Sequence, residues 1–104
     1  MNEKPLILEV RQTALNLSSI RDQRLRIYED RVEFVHPKVL SQARTITIPL
    51  VDIDYVSVKR YALAWADLVI VPKSGTAIRL RPLGPTDAEH AESLIKRQLE
   101  KLQS

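Results

Sequence analysis

From Arg24 to Arg81 apolar residues recur at alternate positions over one short run after another, a period that suits half-buried strands and excludes helices there. "RLRIY" sets Leu25 and Ile27 against Arg24, Arg26 and Tyr28. After Glu29 and Asp30, "RVEFV" repeats the alternation, so the two runs predict a hairpin. "TITI" points Ile46 and Ile48 inward and Thr45 and Thr47 outward. "YVSV" does the same with Val56 and Val58, and "TAIRLRP" sets Ile78 and Leu80 against Arg79 and Arg81. "DLVIV", from Asp67 to Val71, is continuously apolar after its first residue, as in a strand covered on both faces. "KSG" at Lys73 to Gly75 supplies a tight turn. With "LILEV" at Leu6 to Val10, the reading is about seven strands.

One interruption matters more than the strands around it. "RTITIPLVDIDYVSV" runs into Pro49, which has no N–H for a sheet ladder, and then alternates again from Ile53. The chain must turn a corner there, with Leu50 and Ile53 buried in it. After the final strand, Gly84 and Pro85 act as a stop. Thr86 followed three residues later by Glu89 reads as a capping box. Ala88, Ala91, Leu94, Ile95, Leu99 and Leu102 then form one apolar stripe at helical spacing, with Glu92 and Lys96 paired on the wet side.

The 104 residues, 44% hydrophobic and 28% charged, suit one compact domain, residues 1–104. Cysteine is absent, which excludes disulfides, thiolate metal sites and a thiol nucleophile. No apolar run approaches the roughly 20 residues that span a bilayer, and the N-terminal run is too short for a signal peptide. A cytoplasmic protein is expected, with a peripheral position at the membrane surface as a variant of that expectation. The net charge of +3 is low for a dedicated nucleic-acid binder, and the basic excess falls before Pro85.

Strands in two groups joined at an "IPLxDI" corner, Ile48 to Ile53, a strand pair around an "SG" turn and a single C-terminal helix together resemble the pleckstrin-homology superfold, more closely its bacterial branch. The resemblance runs from about Arg24 to the end of the chain and rests on structural pattern. It implies a mainly β fold: a barrel or sandwich of about seven antiparallel strands, capped by the helix. It also implies a non-catalytic binding or scaffolding module without cofactors, since such domains bind anionic headgroups, peptides or proteins, and bacterial members often self-assemble. Fold does not fix function, so each surface is weighed separately.

Catalysis lacks a constellation: His36 and His90 stand alone, and Asp52 and Asp54, two apart, read as solvated. The resemblance makes Arg11, Arg24 and Arg26, with Arg21 between them, candidates for holding an anionic headgroup, and its loops would bring Lys38, Arg44 and Lys73 to the same rim. Guanidinium suits phosphate because it stays charged and donates in pairs. Against that, outward arginines on alternating strands also serve to deter edge pairing. A second surface is "KRYALAWAD", where Lys59, Arg60, Tyr61, Leu63 and Trp65 mix basic and aromatic groups, as protein interfaces do, although burial of Trp65 is the expected alternative. Single-stranded nucleic acid ranks third. Only 5% of residues are aromatic, and Tyr28 is the one plausible stacking platform. Association with a protein partner, including self-association, is the first expectation, and an anionic membrane surface or headgroup is the alternative.

Overall fold

The computed structural model describes residues 5–11, 23–36, 44–62 and 65–103, with the side chains of His36, Arg44, Tyr61, Ala62, Pro82 and Gln103 outside the description. It is mainly β with one C-terminal helix. The strands are β1 (Leu6–Arg11), β2 (Arg24–Tyr28), β3 (Arg31–His36), β4 (Arg44–Pro49), β5 (Ile53–Ala62), β6 (Trp65–Pro72) and β7 (Ile78–Leu83), followed by α1 (Pro85–Gln103). They form two antiparallel meanders, ordered β1-β2-β3-β4 and β5-β6-β7. The sequence Ala14 to Ser19 lies outside the described residues.

Alternation decides which side chains meet. In β2 and β3, Leu25, Ile27, Val32 and Phe34 are buried, and register pairs Leu25 with Phe34 and Ile27 with Val32, so both strands present one apolar face. In the second sheet Ala66, Leu68 and Ile70 of β6 and Ile78 and Leu80 of β7 do the same. The two faces join with Leu50, Ile53 and the helix residues Ala88, Ala91 and Ile95 in one cluster.

The corner forms where Pro49 ends β4. Leu50–Asp52 make one 3₁₀ turn, the Leu50 N–H donates to the Asp30 carbonyl at 2.9 Å, and the Ile53 N–H closes the turn on the Leu50 carbonyl. Leu50 and Ile53 are buried, while Val51, between them, is exposed. The turn thus drives two side chains into the seam between the sheets.

The helix departs from expectation at both ends. Its first bond runs from the Ala88 N–H to the Gly84 carbonyl at 3.0 Å, so Pro85 opens the helix and Thr86 lies inside it, exposed. Proline is preorganised for that first position, where its missing N–H costs nothing, and this displaces the Thr86–Glu89 capping box. Glu89 instead pairs with Arg60 of β5. At the far end Leu102 is exposed and lines the same shallow clefts as Val51, beside the corner. Glu92 and Lys96 pair at 3.3 Å, as their spacing requires.

Candidate functional site

The outer face of the first sheet gathers the expected arginines and also the acids that occupy them. Register sets Arg11 opposite Arg24 and Glu9 opposite Arg26. The Arg26 Nε donates to Glu9 at 3.0 Å, and the Arg11 Nε stands 3.6 Å from the other Glu9 oxygen. The hydrogen bond from Arg26 holds the Glu9 carboxyl below the usual carboxylate range, and the same bond raises the Arg26 guanidinium. One acid therefore engages two of the five arginines expected to hold a headgroup, Arg11 and Arg26.

A second group closes the other end of this face. Glu33 accepts from the Arg31 Nε at 3.0 Å and from the Tyr28 hydroxyl at 3.4 Å, and Arg31 also donates to Asp30 at 2.9 Å. The Arg31 guanidinium lies 3.9 Å from the centre of the Tyr28 ring. Tyr28 is therefore covered on one side by its own neighbour, which weakens it as a stacking platform for a base.

Lys73 does not join the arginines. Because β6 pairs back along β5 until Pro72 lies opposite Ile53, the following turn sits at the corner, and the Lys73 N–H donates to the Asp52 carbonyl at 2.7 Å. The corner is also the Asp30 end of the first sheet. Arg24 is the length of β2 away from that end, about 13 Å. Arg21 and Lys38 lie outside the described residues, and Arg44 is placed by its backbone alone, opposite His36.

The aromatic and basic surface is only partly in view. Lys59 and Arg60 are exposed near the end of β5, Arg60 paired with Glu89 and Lys59 opposite Asp67. Trp65 is half-buried at the start of β6, between the burial and the interface exposure weighed for it. The backbone of Tyr61 continues β5, whereas its side chain and all of Leu63 lie outside the description. Asp67 is the group that sequence reasoning missed: its side chain is only 7% exposed on the outer side of the second sheet, 3.6 Å from the Arg81 Nε and 3.9 Å from the Arg79 Nη1. The available signal was the acid at an outward position of a central strand, flanked in sequence by no partner but matched by the outward Arg79 and Arg81 of the next strand.

What remains open is the edge of β4. The sheets leave β1, β4, β5 and β7 as edge strands among the described residues. Edges are normally guarded by charges, bulges or proline. The β1 edge has a bulge between Leu6 and Leu8 and carries Glu9 and Arg11; β5 has two register shifts and carries Asp54, Lys59 and Arg60; β7 carries Arg79, Arg81 and Pro82. By contrast β4 pairs with β3 through six successive residues without a shift, and from Thr45 to Val51 it has no charge. Its guards stand only at its two ends, Arg44 at the start and Pro49 at the finish.

Beside that edge lies a groove of about 560 Å³ between β4 and the turn entering β7. Phe34, Ile46 and Ile48 line one wall, Pro72 and Ile78 the other, and Asp52 is the one charged residue in the lining. Ile46, expected inward with Ile48, is 40% exposed while Ile48 is buried. Both face the core side, but at Ile46 the second sheet no longer covers the edge. Four successive residues, Ile46 to Pro49, line the groove, so it follows the backbone of β4 and not a single side chain. The arrangement offers apolar contacts together with strand backbone that no other described strand pairs, the two components of strand addition.

Among the described residues no group of three or more His, Cys, Asp or Glu side chains is placed to hold a metal ion, and no helix is long and apolar enough to cross a membrane. No family model, curated protein or solved structure matches this chain.

Proposed function

We propose that this chain is a non-catalytic binding module of the pleckstrin-homology-like kind, acting by protein association, and that its docking site is the open edge of β4. The observation that carries the reading is the contrast between edges: three carry charges along their length, and the fourth pairs without a shift, is uncharged from Thr45 to Val51 and lies beside an apolar groove. Strand addition draws affinity from main-chain hydrogen bonds and selectivity from alternate side chains entering pockets. Two antiparallel sheets meeting at a proline corner, with one C-terminal helix, support the family resemblance. The anionic headgroup alternative has less support, since Glu9 engages Arg11 and Arg26 and the corner takes Lys73 away.

The test is fluorescence polarisation with a labelled extended peptide of alternating threonine and isoleucine. The intact chain is expected to bind it, and Ile46→Lys, which adds the missing edge charge, is expected to weaken binding by about tenfold or more by bringing an ammonium into an apolar seam. No binding, or equal binding by the variant, would overturn the reading.

A further inference from the structure

Resting on that reading, we infer that the occupant of the β4 edge is the β4 edge of a second copy, paired antiparallel about a twofold axis at Thr47. The sequence of the edge is self-complementary in this register and in this direction. Centring the axis on Thr47 puts Ile46 of each copy opposite Ile48 of the other, on the side where the groove opens. Thr47 then meets Thr47 on the outer side, and Thr45 meets Pro49. Apolar residues face apolar ones along the groove, and on the outer side the two Thr47 hydroxyls face each other, flanked by Thr45 against Pro49.

Charge selects the same orientation. The uncharged stretch is bounded by Arg44 at its start and Asp52 after its end, and Asp52 lines the groove. Antiparallel pairing brings the Arg44 position of one copy level with Leu50 of the other, next to the turn that carries Asp52. The cationic end of each edge therefore lies along the acidic end of its partner, twice over. A parallel arrangement would align like with like. The pairing is isologous and closes on itself, giving a dimer with one continuous eight-stranded sheet and no growing end at β4.

Light scattering and thiol crosslinking on the intact chain test this together. The chain has no cysteine, so Thr47→Cys introduces the sole thiol. Residues directly opposite on paired strands have Cβ atoms about 4.5–5.5 Å apart, close enough for a disulfide with slight adjustment. The expected results are a concentration-dependent mass approaching twice 11.9 kDa, rapid disulfide dimerisation of Thr47→Cys under mild oxidation, and much slower crosslinking of Thr45→Cys. Arg44→Asp and Asp52→Arg are each expected to weaken the dimer, and the double variant to restore it. A chain that stays monomeric at every concentration overturns the inference, as does a dimer that Thr47→Cys fails to crosslink or that the charge swap fails to rescue. If the threonine-isoleucine peptide binds while the chain stays monomeric, self-pairing fails and strand addition stands; if the chain dimerises but ignores Ile46→Lys, both fail.

Discussion

Leu50→Ala should be among the most damaging single truncations in this fold, although the residue sits in a turn. Its side chain is 1% exposed and belongs to the cluster joining both sheets and the helix. Removing three carbons loses about 2.4 kcal/mol of transfer free energy at ~0.8 kcal/mol per carbon. A cavity term adds to this wherever the site cannot collapse. Here collapse is blocked on two sides, because the Leu50 N–H is tied to Asp30 and its carbonyl accepts from Ile53. The total should fall at about 3–4 kcal/mol, which for a domain of this size lowers the melting temperature by more than about 12 °C. Val51→Ala is the internal control. Its side chain is 59% exposed, and its cost should stay near 0.5 kcal/mol. Urea titrations at fixed protein concentration, followed by the fluorescence of Trp65, measure both. A Leu50 cost below about 1 kcal/mol, or equal costs at the two positions, would refute the claim that this turn joins the sheets through buried side chains.

Three further predictions are more local. The depressed Glu9 carboxyl contributes stability above the ordinary carboxylate range and loses it as the pH falls through its folded value, so the wild-type advantage over Arg26→Ala should shrink on acidification. Both side chains are partly exposed, which limits that advantage to below about 1 kcal/mol; urea midpoints at neutral and acid pH measure it, and a gap that widens in acid contradicts the pairing. Gly75→Ala should cost about 1 kcal/mol in the same assay, because Gly75 has φ of 101°, while the nearest side-chain atom, in Pro72, is 4.0 Å from the added methyl and leaves it room. The Arg24→Ala, Arg26→Ala double variant should sediment with anionic vesicles no less than the wild type does, and a loss of binding would restore the headgroup reading of that face.

How much of this was legible depended on how local each cause is. Strand alternation and the proline corner are local, so Leu25 and Ile27 fell inward and Leu50 and Ile53 into the seam as expected. Alternation tells which face a residue takes, but not whether anything covers that face. Ile46 and Ile48 share a side, and only the place of β4 at the sheet edge leaves Ile46 exposed. Lys73 was misplaced for a similar reason: its neighbours follow from the level at which β6 ends against β5, which a turn motif does not encode. The capping box at Thr86 lost to a stronger local rule, the fit of Pro85 at a helix start, and Glu89 then found Arg60, remote in sequence. The groove could not be read at all, since its two walls come from different sheets.

The β4 backbone itself offers the most direct test of the docking edge, through residue-resolved amide hydrogen exchange of the intact chain across a dilution series. On an open edge, alternate amides from Thr45 to Ile48 point away from β3 and exchange freely; a paired strand protects them. Those outward amides should gain protection as the concentration rises and lose it in Ile46→Lys, while amides on the guarded β7 edge stay unchanged. Outward β4 amides that exchange equally fast at every concentration, with or without added peptide, would contradict the assignment of this edge as the docking site.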